Sequence, residues 1–228
     1  MKVMLRVPTN GHLDRGLTRW LQWVSSAPLE QGIGFHSIDT HYSTAGPDHA
    51  RNQIVEQFLV SDANYLWMID DDVVPPDNVT ILAATQKRDL PVLSGTYDSY
   101  NAELKQGYPQ VYKNIGPHNW RTVPKVSWPR EEFFKADAAG GGCLLIRREV
   151  LEKMPPPWFE FKRDERGKVI QGEDMTFFEK VGGLVIMQSY QCEHYKEMPM
   201  SHVRLMSETL AMLAYQQQQT NKNAPPSH

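Results

Sequence analysis

Through residues 1–95, short apolar runs alternate with stretches of helical spacing, and few folds satisfy that rhythm. KVMLRV at 2–7 reads as a buried strand, broken by Pro8 to Gly11. From Asp14, the residues Leu17, Trp20, Leu21 and Val24 recur at helical spacing, with Asp14 placed to cap the helix. IGFHSID at 33–39 reads as a second strand ending in an acid. A helix from about Asp48 puts Ala50, Ile54, Val55 and Phe58 on one face. YLWMI at 65–69 is an apolar run of the kind a parallel sheet buries on both faces. Asp77 or Asn78 can cap the next helix, through Leu82 and Ala83, and PVLS at 91–94 is a fourth strand. The order β-α-β-α-β-α-β predicts an α/β fold: an open, mostly parallel sheet with helices on both faces. Ligands of such sheets bind beyond the carboxyl ends of the strands. Thr9, Asp39 and Asp70 to Asp72 are therefore candidate site residues.

The second half is less regular. Residues 96–130 are rich in Tyr, Trp, Pro and Asn, and read as a long loop of the lid or binding-surface kind. FFKADAAGGGCLLIRREVLEKM reads as a strand (133–137), a glycine turn (140–142), a strand (143–146) and a helix (147–153). A helix spans 172–181, and LVIMQ at 184–188 is a last strand. A C-terminal helix at 199–215 puts Val203, Met206, Leu210 and Leu213 on one face. The polar, proline-bearing end, 216–228, cannot support a core and reads as a disordered tail.

Composition narrows the class. A chain of 228 residues with 40% hydrophobic content suits one domain, here expected over 1–215. No stretch approaches the roughly 18 apolar residues of a membrane span. The start, MKVMLRVP, reads as a strand and not as a secretory leader. Net charge is −3 and the pI about 6.2, so the chain as a whole has no attraction to nucleic acid or anionic membranes, though a local basic patch stays open. Two cysteines, Cys143 and Cys192, make no disulfide framework and fit a reduced, cytoplasmic setting.

The strongest chemical feature is Asp70-Asp71-Asp72 after an apolar strand. Adjacent carboxylates repel and raise one another's pKa. A hard divalent ion such as Mn2+ or Mg2+ wants oxygen ligands, and accepts diphosphate oxygens to complete its shell. Acids at i and i+2 of a strand end point to the same side. The plain alternative is a solvated turn that caps the next helix. Glu173-Asp174 follows Gly172 at a helix start, where acids serve as dipole caps or as a general base. Asp174 lies four residues before Phe178, which places it on the apolar edge and favours it over Glu173 for a buried role. Gly140-Gly141-Gly142 permits close approach of a ligand, or is a simple bend. No Lys-Ser/Thr follows, so it is not a phosphate loop. Cys192-Glu193-His194 clusters two zinc-type ligands where structural zinc wants four. Arg51 sits in a helix before the acidic strand, as a solvated residue or a phosphate contact.

These pieces, in this order over roughly residues 3 to 196, resemble the family 2 glycosyltransferases of the GT-A fold, especially their small, phage-encoded members. The landmarks are Pro8-Thr9, Asp39, Ala50-Arg51-Asn52, Asp70-Asp71-Asp72 with prolines after it, the glycine turn before Cys143, Glu173-Asp174 and His194. The resemblance implies a nucleotide-binding half at 1–95 and an acceptor and catalytic half at 96–198. It implies that Pro8, Thr9 and Asp39 hold the nucleotide base, that Arg51 lies near the nucleotide, and that the D-x-D motif falls on Asp70 and Asp72. The last acid would bind the metal, and the first would serve the ribose or a metal-bound water. An Asp71-Asp72 assignment is the alternative. Gly141 and Gly142 would line the sugar pocket, Asp174 would be the catalytic base beside Glu173, and His194 would complete the metal site. The departure is Glu193, where a small residue is expected. The implied reaction is inverting transfer from a nucleotide-sugar, commonly a UDP-sugar, with Mn2+ or Mg2+.

Two other readings compete. A nucleotidyltransferase would show a glycine-rich, basic loop after the first strand, and PTNGHLDRG has one arginine and scattered glycines. A binding module that has lost catalysis is disfavoured by the presence of Asp70, Asp72 and Asp174. Candidate acceptors include hydroxymethylated DNA bases and glycans. The acidic balance speaks against DNA, while Arg147-Arg148 and Lys162-Arg163 keep it open. Tyr97, Tyr100, Tyr108, Trp120 and Trp128 are candidates for stacking on sugars, or simply pack their loop down.

Overall fold

The structure, a computed structural model, describes residues 1–101 and 106–195. Residues 1–99 and 108–195 form one compact unit. The helix expected at 199–215 and the tail at 216–228 lie outside the described residues.

The chain opens with β1 (Lys2–Thr9), α1 (Arg15–Val24), β2 (Gly34–Tyr42), α2 (Pro47–Val60) and β3 (Tyr65–Ile69). Next come β4 (Val73–Val74), α3 (Thr80–Arg88), β5 (Val92–Thr96), β6 (Asp98–Asn101) and β7 (Gln106–Pro109). Then follow β8 (Val111–Gly116), β9 (Asn119–Thr122), β10 (Phe133–Ala136), β11 (Ala138–Ala139), β12 (Cys143–Arg147) and α4 (Arg148–Glu152). The described part closes with β13 (Lys162–Arg163), β14 (Val169–Gln171), α5 (Glu173–Val181), β15 (Leu184–Gln191) and β16 (Glu193–His194).

Seven strands form the central sheet, in the order β10-β15-β5-β12-β3-β1-β2. β1 runs parallel to β2 and β3, and β15 parallel to β5. β12 is wedged between β3 and β5, antiparallel to both, and β10 is antiparallel to β15. β1, β2, β3, β5 and β15 thus run one way and β10 and β12 the other, so the expected mostly parallel α/β sheet is present.

Alternation along β3 explains why helices cover both faces. Leu66 and Met68 pack with Ile54 and Phe58 of α2 and Phe177 and Phe178 of α5. Tyr65, Trp67 and Ile69 pack with Leu17 and Trp20 of α1 and Ile81 and Leu82 of α3. Trp20 meets Trp67 edge-on at 5.4 Å. Each such side chain, removed from water, contributes about 1.5–3 kcal/mol. Asp14 caps α1 as expected: its Oδ1 accepts from Gly16 N at 2.6 Å and Leu17 N at 3.3 Å. At α3, Asn78 Oδ1 accepts from Thr80 N at 3.2 Å, and the helix starts at Thr80.

Two expectations are corrected. The stretch read as one loop at 96–130 contains β8 and β9, which join β11 in a three-stranded antiparallel sheet. Exposed Lys113, Asn114, Asn119 and Arg121 hid its alternation. β2 also runs on to Tyr42, so Asp39 lies within the strand and not at its end.

Candidate functional site

The parallel strands β1 and β3 finish at the same edge of the sheet, and a cleft of about 420 Å³ opens there. Pro8 and Thr9 at the end of β1 and Asn10 after it line the cleft, with Ser43 and Thr44 after β2, and Asp70, Asp71 and Asp72 after β3. Gly46, Pro47, Ala50 and Arg51 supply the wall from α2, and Glu173 from α5. α2 therefore begins at the cleft. Gly46 adopts φ +111°, open to glycine, and Pro47 occupies the first helical turn, where its missing N–H costs nothing. A helix start of this kind carries partial positive charge toward an anion.

Arg51 organises the floor. Its side chain is 4% exposed. Nη2 donates to Asp70 Oδ1 at 2.6 Å and Nη1 to the Gly141 carbonyl at 3.3 Å, while Nε lies 3.5 Å from Glu173 Oε1. Burial alone lowers the Arg51 pKa, but Asp70, Glu173 and Asp174 outweigh it and hold the guanidinium charged. One cation is thus shared by three carboxylates. The glycine turn is shaped to this arrangement. A Cβ at 141 would lie 2.8 Å from Arg51 Nη2, and one at 142 would lie 2.8 Å from the Tyr97 ring. Gly142 N donates to the Tyr97 hydroxyl at 3.0 Å. Gly141 and Gly142 are buried beneath the neighbouring side chains and do not line the cleft.

Glu173, and not Asp174 alone, is drawn out of solvent. Glu173 is 8% exposed and sits on the face of α5 shared by Thr176 and Phe177, drawn inward by Arg51. Asp174 is partly exposed. Its Oδ1 accepts from Met175 N at 2.7 Å and its Oδ2 from Gly141 N at 3.3 Å. Desolvation, then repulsion by Glu173, pushes the Asp174 carboxyl up to about 6 against the pull of Arg51.

The three acids after β3 have separate surroundings. Asp70 is bound to Arg51. Asp71 is half-buried beside the Thr9 hydroxyl, and burial raises its pKa. Asp72 Oδ2 lies 3.2 Å from His194 Nε2, across 122 positions of sequence. β16 brings His194 there by pairing with β4, opposite Val73. His194 Nδ1 lies 3.0 Å from the Asp98 carbonyl, and Tyr97 stands edge-on to the ring at 5.2 Å. Glu193 alternates outward and bonds the Tyr195 hydroxyl, so it does not crowd the site. Cys192 is buried against Cys143 and does not join His194.

The structure thus brings together Pro8, Thr9, Arg51, Asp70, Asp71, Asp72, Glu173, Asp174 and His194 around one end of the sheet. Asp39 stays apart: it is exposed on β2, opposite Arg6, and its Oδ1 accepts from Thr40 N at 2.8 Å. Asn10, Ser43 and Thr44 were not anticipated. The signal was Gly46-Pro47, a start for α2 one residue before the Asp48 chosen from periodicity. Tyr97, expected as a stacking aromatic, is buried under the glycine turn and His194.

The sheet order and the cleft at its carboxyl edge define an α/β fold of the GT-A kind. Among solved structures, the chain is similar to A197 from STIV, with a TM-score of 0.56 and 21% identity over 86% of this chain and 87% of that one. It is also similar to GalNAc-T7, solved with UDP, GalNAc and Mn2+, with a TM-score of 0.58 and 13% identity. That match covers 87% of this chain but 44% of GalNAc-T7. At these identities the likeness is one of fold. No family model matches the chain, and no curated protein matches it in sequence.

Proposed function

We propose that the chain is a metal-dependent, inverting glycosyltransferase. It would move a sugar from a nucleotide-sugar, a UDP-sugar, to a hydroxyl of a glycan or of a hydroxymethylated DNA base. The observation that carries the reading is the approach of His194 Nε2 to Asp72 Oδ2 at 3.2 Å. His194 Nδ1 lies 3.0 Å from the Asp98 carbonyl and 3.2 Å from Ser99 Oγ, and in the tautomer that donates Nδ1–H to that carbonyl, Nε2 would offer a lone pair to a cation shared with Asp72. The spacing suits neighbouring ligands of Mn2+ or Mg2+, which lie about 3 Å apart in an octahedral shell. Among the described residues, no group of three or more His, Cys, Asp or Glu side chains is arranged for a metal. An ion held by Asp72 and His194 alone would take its other ligands from water and a diphosphate. GalNAc-T7, of the same fold, was solved with UDP and Mn2+.

The roles of the chain's own residues follow. Pro8, Thr9 and Asn10 bound the nucleotide end of the cleft, and the start of α2 favours the diphosphate. A divalent ion held by Asp72 and His194 would neutralise charge on the leaving diphosphate. Asp174 accepts the proton of the acceptor hydroxyl, whose oxygen bonds the anomeric carbon as the bond to the diphosphate breaks on the opposite face. A carboxyl titrating at about 6 is ionised at neutral pH yet a better base than an ordinary aspartate. Calorimetry with UDP, with and without Mn2+, tests the reading. Metal-dependent binding that vanishes in Asp72→Ala is expected. Equal binding with and without metal, or unchanged binding in the variant, would overturn the assignment.

A further inference from the structure

A cavity of about 480 Å³ lies at the edge of the sheet opposite the cleft, where β5 and β15 begin. Its size is that of small-molecule sites, and the reaction uses none of its residues. Val92 and Leu184, both buried, and Val150, Met154 and Val181, packed against the same core, give it apolar walls. Gly182 and Gly183 turn the chain from α5 into β15 at φ +81° and +105°, and add no side chain to fill the space.

The polar lining is all of one sign. Lys135 from β10, Lys153 after α4 and Lys180 from α5 line the cavity, and among the described residues no acid does. Lys180 is engaged: its Nζ lies 2.7 Å from Glu160 Oε1 and donates to the Pro157 carbonyl at 2.7 Å. Lys135 and Lys153 are exposed and make no ion pair among the described residues. The acids nearest them in sequence are turned to other partners. Asp137 Oδ2 accepts from Asn114 N at 2.9 Å, Glu149 Oε2 lies 3.3 Å from Arg147 Nε, and Glu152 Oε1 lies 3.5 Å from Arg148 Nη1. A chain with net charge −3 has thus left two cations unpaired on one apolar cavity. Their mutual repulsion is relieved by an anion placed among them.

We propose that this cavity binds a small molecule with an aliphatic body and one anionic head, a carboxylate or a phosphate. The head answers Lys135 and Lys153, and the body takes the apolar walls. A lysine in such a wall lays its stem on apolar surface and keeps its ammonium in water, which places charge at the mouth and not at the floor. A nucleotide answers only part of the site. Apart from the lysines, every described side chain lining it is apolar, so a base or ribose would find its polar groups without partners. The inference stands on this cavity and not on the transferase reading.

Calorimetry on the full chain tests it, with octanoate and octyl phosphate as probes and with inorganic phosphate and octanol as controls. At least one octyl anion is expected to bind, the tighter one naming the head group, and neither control is. Lys135→Gln with Lys153→Gln is expected to weaken that binding about tenfold or more, and Lys135→Arg with Lys153→Arg to keep it. Raised salt is expected to weaken it in the wild type, because the lysines are exposed. Asp72→Ala, at the other edge of the sheet, is expected to leave it unchanged. Thermal midpoints matching wild type certify that each variant is folded. Silence from both octyl anions, equal binding of octanol, indifference to salt, unaltered binding in the glutamine variant, or loss of binding in Asp72→Ala would each overturn the proposal.

Discussion

Asp174 couples stability to pH in a direction opposite to that of an ordinary paired aspartate. Its folded pKa of about 6 exceeds the unfolded value of 3.8, so the fold favours the protonated form. The penalty for ionising it is absent below about pH 4 and complete above about pH 6, reaching up to about 3 kcal/mol. Asp174→Asn is therefore expected to raise the thermal midpoint at pH 8 and to leave it nearly unchanged at pH 4. The same variant is expected to lower turnover at least about a hundredfold while retaining UDP and Mn2+ binding. Loss of nucleotide binding along with turnover would remove the base assignment. Gly141→Ala drives a methyl against the Arg51 guanidinium and is expected to cost about 1–3 kcal/mol by urea denaturation. At this scale the sequence marked the acids but not their environments. Glu173 and Asp174 differ by one position, and only the approach of Arg51 reveals that Glu173 is buried as well. Asp39 looked terminal because its strand turns polar early, as an edge strand does.

Two arginines hold the elements in register. Arg51 joins α2 to the end of β3 and the start of α5. Arg51→Met would leave Asp70, Glu173 and Asp174 without a counter-ion, and an expected loss of about 3–5 kcal/mol in urea follows. Lysine should restore little, because an ammonium cannot reach Asp70 and the Gly141 carbonyl in one plane. Arg148 works from the first residue of α4. It donates to the carbonyls of Phe58 at 2.9 Å, Leu59 at 3.1 Å, Ser61 at 2.9 Å and Ala63 at 2.8 Å, closing the end of α2. Arg148→Met is expected to destabilise by about 2–3 kcal/mol, with the last turn of α2 first to lose amide-exchange protection. The strands β1, β3 and β5 were legible because burial on both faces makes them continuously apolar. β12 was legible as a strand, but its place between β3 and β5 was not. Strand order follows from packing that no local run records.

For the molecule as a whole, the fold class followed from the alternation of its first 95 residues, and the site followed only in part. The union of Asp72 with His194 depends on β16 finding β4, a pairing of two residues on each side that leaves no periodicity to read. If donor and metal bind together, UDP at a hundred times its Kd is expected to add about 2.7 kcal/mol of stability with Mn2+ present. EDTA should abolish that gain, and so should His194→Ala; a shift that survives both would place the nucleotide elsewhere. The separation of Asp72 from His194 also bears on synthesis. A growing chain displays its acidic triplet, and the whole wall of the cleft from β1 to α2, long before residue 194 exists. On the proposed chemistry, a nascent or truncated chain without His194 holds neither metal nor nucleotide, so β16 is the element that switches the finished cleft on.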